Sequence, residues 1–121
     1  MQTVFGRIYE AGVTDQGVDP PAGVTAQLGY GPTTANPEYQ FGWTWVDATH
    51  NASCGDCGPN DDEFQASFNA PAAGDYRYTY RFSLDGGASW TYCDNNQGDF
   101  GAGSNAGLTF DLQNLAVLTV N

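Results

Sequence analysis

The sequence predicts an all-β fold, and three observations carry that prediction. Apolar and polar residues alternate over short segments, most clearly from Tyr76 to Phe82, and a period of two is typical of a strand with one buried face. The 16 glycines and 6 prolines are scattered between such segments, as expected where many turns join short strands. No segment shows the longer period of an amphipathic helix. At 121 residues, we expect residues 1–121 to form a single domain.

The first three expected strands are joined by loops rich in proline and glycine. A first strand covers residues 3–13, and a loop containing Pro20 leads to the second, at residues 24–30, where every second residue is apolar. After a loop at residues 31–37, the aromatic residues of the segment 41–46 indicate the third strand.

The second half of the chain continues this pattern. Four more strands are expected, at residues 64–68, 75–83, 89–93 and 115–120. Polar loops at residues 49–61 and 94–106 separate them. The aromatic side chains of the fifth strand face one way, so we expect Phe64 and Phe68 to pack on them. About seven short strands with turns between them indicate an antiparallel β-sandwich of the immunoglobulin-like type.

The segment from Ser83 to Trp90 is the clearest local signal, because it predicts a tight hairpin. Asp85 can accept hydrogen bonds from backbone N–H groups of its own turn, and Gly86 and Gly87 can adopt positive φ without a Cβ penalty. Trp90 then restarts the strand and brings a large ring beside the hairpin.

The charge of the chain excludes several classes of partner. The net charge is −11, and the only cations are three arginines, without any lysine. A nucleic-acid-binding surface needs a broad basic patch, which three arginines cannot build, and anionic membranes and acidic polymers are disfavoured for the same reason. A neutral ligand or a cation fits better, although the charge also serves solubility alone.

No stretch approaches the roughly 20 apolar residues of a membrane helix. No signal peptide is visible at Met1, and the strand-like sequence that follows it at once favours a piece of a larger chain.

The three cysteines predict a structural disulfide. Cys54 and Cys57 have CxxC spacing, and Cys93 lies far along the chain. Zinc needs four ligands, only His50 lies nearby, and the βαβ context of a redox motif is missing. We therefore expect one bridge, either Cys54–Cys57 or one of these to Cys93, with one thiol left over.

Catalysis and calcium binding have weaker signals. The single histidine, His50, defines no nucleophilic triad, and the acids at residues 61–63 are expected to be solvated rather than to face one another as glycosidase carboxylates do. The oxygen ligands Asp94, Asn96 and Asp99 alternate as in calcium loops, but the glycine comes one residue early and no glutamate follows at the twelfth position. We expect no required cofactor, with Ca²⁺ as an alternative to a plain polar turn.

Four aromatic residues are the candidate ligand-binding groups: Trp43, Trp45, Trp90 and Tyr92. Within each pair the residues are two apart, so both side chains leave the strand on one face. Flat rings stack on the C–H faces of neutral sugars, and Asp94, Asn95 and Asn96 would add hydrogen bonds. The alternative is that these tryptophans plug the core. Val46 and Ala48 lie on the opposite face of the third strand, and if they face the core, the tryptophans face outward.

Two resemblances follow from these residues. Ser83, Asp85, Gly87 and Trp90 match the Asp-box, Ser-x-Asp-x-Gly-x-x-Trp, a structural hairpin of sialidases and of many unrelated secreted β proteins. The segment 74–83 followed by Trp90 resembles the later half of the carbohydrate-binding modules of secreted bacterial hydrolases, starch-binding members among them. That resemblance implies that Trp90 stacks on glucose, with Tyr92, Asp94 and Asn96 nearby.

The sequence as a whole favours a non-catalytic module of a secreted, extracellular bacterial protein that binds a neutral polysaccharide, with α-glucan first. Two alternatives remain. One is an immunoglobulin-like spacer or adhesion repeat of a secreted or cell-surface protein, in which every tryptophan is buried. The other is a fragment of a hydrolase.

Overall fold

The structure is a computed structural model that describes residues 3–8, 23–51, 62–92 and 116–121. These residues form eight strands and no helix, arranged in two antiparallel sheets, which confirms the all-β sandwich. The strands are β1 (Val4–Ile8), β2 (Thr25–Pro32), β3 (Thr44–Asp47), β4 (Thr49–His50), β5 (Asp62–Ala66), β6 (Gly74–Ser83), β7 (Thr91–Tyr92) and β8 (Ala116–Val120). A helix long and apolar enough to cross a membrane is not found in these ranges.

The smaller sheet has three strands in the order β1-β5-β4. Its central strand pairs antiparallel with β1, where Val4 lies opposite Ala66, and with β4, where Thr49 lies opposite Gln65. Alternation along β1 turns Val4 toward the core and leaves the ring of Phe5 on the outer face, 53% exposed.

The larger sheet is built on the long antiparallel pair of β2 and β6, which runs from Thr25 opposite Ser83 to Pro32 opposite Tyr76. Strand β3 pairs with the other edge of β2. The far edge of β6 is shared, because β8 pairs with its first half and β7 with its last residues. This arrangement gives β6 a neighbour on both sides over most of its length.

The core lies between the two sheets and is formed by alternate residues of the central strands. Its buried members are Ala26, Leu28, Phe64, Tyr80 and Phe82. Phe64 meets Phe82 edge-on at 5.7 Å between ring centroids, and Phe68 lies 4.5 Å from Tyr30. The expected packing on the aromatic face of the fifth expected strand, now β6, is therefore confirmed for Phe64, whereas the ring that Phe68 meets belongs to β2.

Tyr80 joins the two sheets directly. Its ring lies where a side chain on Gly6 would be, since a Cβ there would fall 2.5 Å from a ring atom. Its hydroxyl donates a hydrogen bond to the carbonyl of Val4. The ring thus fills the core while its polar end finds a backbone acceptor.

Some expected strand boundaries were wrong. The third strand begins at Thr44 rather than Phe41, because Gly42 has a φ of +107°, which breaks the extended backbone, and Phe41 is 99% exposed. The segment 31–32, expected in a loop, continues β2, and the start of the expected 49–61 loop forms β4, the additional strand. Both are short pieces whose hydrogen-bond partners lie far along the chain, so local alternation could not reveal them.

Candidate functional site

The candidate site is the outer face of the five-stranded sheet, where all three tryptophans lie. Val46 and Ala48 pack against the core, which confirms that Trp43 and Trp45 project from the opposite face. Trp90 belongs to the same face, because it contacts the side chain of Arg81 there. Each indole is half-buried, so none is sealed in the interior and none stands fully in solvent.

These indoles form a continuous stack, which we call the aromatic row (Trp43, Trp45, Arg81 and Trp90). The rings of Trp43 and Trp45 are 5.5 Å apart between centroids, with 22° between their planes. The guanidinium carbon of Arg81 lies 4.0 Å from the ring centroid of Trp45 and 4.1 Å from that of Trp90. The cation is therefore held between two indoles, an arrangement that is attractive through the ring quadrupoles.

Two glycines of β2 make room for the row. A Cβ on Gly29 would lie 2.3 Å from a ring atom of Trp45, and one on Gly31 would lie 2.6 Å from Trp43. Both distances are far below van der Waals contact, so only glycine lets the indoles lie this close to the backbone. The strand pairing explains the placement, since Gly29 is the direct neighbour of Trp45 on β3.

A line of polar side chains orders the cation. Asp47, Gln27, Arg81 and Tyr92 are opposite one another on β3, β2, β6 and β7. Nε of Arg81 donates to Oε1 of Gln27 at 2.9 Å, and Nε2 of Gln27 donates to Oδ1 of Asp47 at 2.9 Å. On the other side, Nη1 of Arg81 approaches the hydroxyl of Tyr92 at 3.4 Å. These bonds hold the guanidinium in the plane in which it stacks.

The members of the row differ in how much of the ring is occupied. Trp45 is contacted by Trp43 and Arg81, and the ring of Tyr92 lies 5.8 Å away. Trp43 and Trp90 end the row, and within the described residues each has a single ring or guanidinium neighbour. The indole N–H of Trp43 donates to the carbonyl of Ala35 at 2.7 Å, which fixes its polar edge. A flat ligand thus has most room at the two terminal rings.

The hairpin from Ser83 to Trp90 sets the position of the last ring. Ser83 donates its hydroxyl to Asp85, whose carboxylate accepts from the backbone N–H of Ser89 at 2.9 Å and from its hydroxyl. Gly86 and Gly87 have φ of +73° and +98°, so the predicted hairpin is confirmed. The hydrogen bonds from Ser83 and then from Ser89 lower the pKa of Asp85 from 3.8 to about 2.

The structure brings together four of the predicted site residues and adds three that sequence reasoning missed. Trp43, Trp45, Trp90 and Tyr92 share one face. The missed residues are Arg81, Gln27 and Asp47. Arg81 had a usable signal, because it alternates with the core residues Tyr80 and Phe82 and must therefore face outward. Gln27 and Asp47 had none, since their contacts depend on strand register.

Several predicted residues lie outside the described ranges. These are the hydrogen-bonding candidates Asp94, Asn95 and Asn96, the calcium candidates Asp94, Asn96 and Asp99, and the cysteines Cys54, Cys57 and Cys93. Their roles stay predictions. In the part of the chain that the structure does describe, no three His, Cys, Asp or Glu side chains come together as a metal site would require.

An apolar cleft elsewhere on the molecule differs in character from the aromatic row. A cleft of about 390 Å³ opens beside β6 and β8, with walls from Val4, Phe68, Pro71, Tyr78, Leu118 and others. Its lining includes no carboxylate, histidine or cysteine among the described residues. It offers hydrophobic volume rather than acid–base chemistry.

No known family model matches the chain. The chain is similar to part of the amylopullulanase of Thermoanaerobacter thermohydrosulfuricus, with 34% identity over an aligned length of 106 residues, and the match covers 74% of this chain. The match spans 7% of the length of that protein, so it concerns one small section of a much longer chain. The chain is thus similar to one section of a starch-degrading enzyme.

Proposed function

We propose that this chain is a non-catalytic carbohydrate-binding module that holds a neutral polysaccharide, starch-type α-glucan first, against the aromatic row. The observation that carries the proposal is the ordered stack of three indoles on an outer sheet face. Aromatic side chains kept in fixed positions at a surface, rather than in the core, are the groups that stack on sugar rings at low entropic cost.

The roles differ along the row. Trp43 and Trp90, the terminal rings, present their faces to the C–H surfaces of glucose units. Trp45 and Arg81 hold those rings in place, because each is itself enclosed by the stack. Asp94, Asn95 and Asn96 follow Tyr92 and Cys93 in the sequence and are the proposed donors and acceptors for sugar hydroxyls.

Charge and similarity support a neutral glucan. A chain with a net charge of −11 repels anionic polymers. The cation of the row, Arg81, is already engaged by two indoles and by Gln27, which leaves it less able to bind an anionic ligand. The similarity to a section of an amylopullulanase favours α-glucan among the neutral polysaccharides.

The polar line favours binding without hydrolysis, because its carboxylate does not form the pair that hydrolysis requires. Glycoside hydrolysis needs two carboxylates facing each other across the scissile bond. Asp47 is the carboxylate in the polar line, and it accepts a hydrogen bond from Gln27. The other members of that line, Gln27, Arg81 and Tyr92, are not carboxylates.

The experiment is a titration of the 121-residue chain with soluble starch, maltooligosaccharides, dextran and a soluble cellulose derivative, followed by tryptophan fluorescence and calorimetry. We expect starch-type ligands to change the emission, and Trp43→Ala or Trp90→Ala to weaken binding about tenfold, roughly 1.4 kcal/mol. Phe5→Ala, an exposed ring on the other sheet, is the control and should bind like wild type. Unchanged emission and no heat across the panel would end the proposal, and release of reducing sugar from starch would replace it with catalysis.

A structural spacer is the second candidate, and one observation favours it. All three indoles are half-buried, and Arg81 occupies the space between two of them. In this second candidate function, the row stiffens the sheet and has no ligand. In that case the tryptophan variants would lower stability, while the wild-type chain would bind no glycan.

We also propose that the module belongs to a secreted, extracellular protein and carries one disulfide among Cys54, Cys57 and Cys93. An oxidising compartment favours such a bridge. Thiol titration of the denatured, unreduced chain should then find one free thiol, and three free thiols would contradict it.

We expect no cofactor to be needed. The alternative is Ca²⁺ at Asp94, Asn96 and Asp99, which a lower melting temperature after chelator treatment would support.

A further inference from the structure

The loop between β2 and β3, residues 33–43, displays two aromatic rings that the fold does not use. Phe41 is 99% exposed and Tyr39 is 76% exposed. Neither packs against the hydrophobic core. Two large rings exposed this close together on one loop offer apolar surface to a ligand.

The first part of this loop is built from its own hydrogen bonds. The side-chain oxygen of Asn36 accepts from the N–H of Glu38 at 2.9 Å, and the backbone carbonyl of Asn36 accepts from the N–H of Gln40 at 2.9 Å. In return, the side-chain oxygen of Gln40 accepts from the N–H of Asn36. Ala35 and Pro37 are buried beneath the turn. The turn that carries Tyr39 is thus pre-formed.

The same loop is tied to the end of the aromatic row. Its last residue is Trp43, whose indole N–H donates to the carbonyl of Ala35 near the start of the loop. Gly42 closes toward the end of β2, where a Cβ would lie 3.2 Å from the ring of Pro32. Movement of the loop base therefore cannot be separated from movement of the terminal indole.

The composition of the loop favours a sugar over a protein partner. Residues 33–43 contain no Leu, Ile, Val or Met, and the exposed rings alternate with Glu38 and Gln40. Protein interfaces need a contiguous apolar centre. Single rings separated by polar groups suit a ligand that presents C–H faces and hydroxyls in turn.

Resting on the proposed function, we propose that Tyr39 and Phe41 form an extension of the binding surface, which takes further units of a long glucan chain beyond those held by the aromatic row. The extension makes affinity depend on chain length. Short oligosaccharides are bound by the row alone, and long chains are bound by the row and the loop together.

The test measures, by calorimetry, the affinity of the 121-residue chain for maltotriose and for soluble amylose. Three variants are compared with wild type: Tyr39→Ala/Phe41→Ala, Trp43→Ala and the control Phe5→Ala. We expect the double loop variant to bind amylose more weakly, by about twofold to tenfold for each ring removed. Its affinity for maltotriose should equal that of wild type. Trp43→Ala should weaken both ligands, and Phe5→Ala neither. Because both loop rings are exposed, their truncation should leave the melting temperature unchanged.

Each other outcome has a separate meaning. If the double loop variant binds amylose like wild type while Trp43→Ala does not, the extension is overturned and the proposed function stands. If the double loop variant weakens both ligands equally, the loop belongs to the primary site, and the length dependence is wrong. If wild type binds neither ligand, both proposals fall.

Discussion

The two faces of the β2–β6 pair are made by the same strands and do opposite things. Alternate residues turn Leu28, Tyr80 and Phe82 inward, where they are buried in the core. The residues between them, Gln27 and Arg81, point outward and form part of the polar line, where Arg81 stacks on an indole. One face stabilises by excluding water, and the other orders large rings at the surface. The comparison shows that aromatic content alone does not distinguish the core face of a sheet from its outer face, whereas strand parity does.

The largest effect is expected from the inner face. Leu28 is 0% exposed and lies at the centre of the core, so Leu28→Ala should lower the free energy of unfolding by about 2–5 kcal/mol through lost burial and a residual cavity. Chemical denaturation measures it. A cost below about 1 kcal/mol would mean that the two faces are not as different as they look.

The outer face is tested next at Gly29. An alanine there would press its Cβ into the ring of Trp45, so Gly29→Ala should cost about 1–3 kcal/mol of stability and reduce the near-ultraviolet circular dichroism of the indoles. A matched variant, Gly29→Ala with Trp45→Ala, removes the clash. The loss of stability caused by Gly29→Ala should therefore be smaller in the Trp45→Ala background than in wild type. An equal loss in both backgrounds would mean that the ring of Trp45 does not cover the strand.

Arg81→Lys separates charge from shape in the row. Lysine keeps the positive charge but loses the planar group between two indoles and the fork that donates to Gln27. We expect a cost of about 1 kcal/mol in the free energy of unfolding, together with a changed tryptophan emission. If the emission stays as in wild type, charge alone orders the rings.

The smallest effect concerns the hairpin and appears only in acid. The pKa of Asp85 is lowered to about 2 by its serine partners, so the unfolded chain takes up the proton first as the pH falls. The contribution of the carboxylate is complete above about pH 4 and is lost as the pH falls toward 2. Urea unfolding between pH 2 and 6 should show this loss in wild type and not in Asp85→Asn. Parallel pH curves for both proteins would contradict it.

Much of this architecture was predictable, and the exceptions share one cause. Alternation located β2, β5, β6 and β8 to within a few residues, and the turn chemistry of Asp85, Gly86 and Gly87 predicted the hairpin. The outward direction of Trp43 and Trp45 followed from the parity of Val46. The short strand β4, the late start of the third strand at Thr44 and the insertion of Arg81 between Trp45 and Trp90 did not, because each depends on which strand lies alongside. Register is set by the whole fold and leaves little trace in a single segment.

The long pairing of β2 with β6 also has a consequence for synthesis on the ribosome. Strand β2 is translated well before its partner, because Pro32 pairs with Tyr76 and Thr25 pairs with Ser83, both much later in the chain. At about 5–20 residues per second, the interval is roughly 2–12 s. During that time Leu28 and its apolar neighbours lie on a strand that still lacks its longest partner in the sheet. The domain therefore closes late in its own translation, and the nascent chain needs protection from aggregation until β6 has left the exit tunnel.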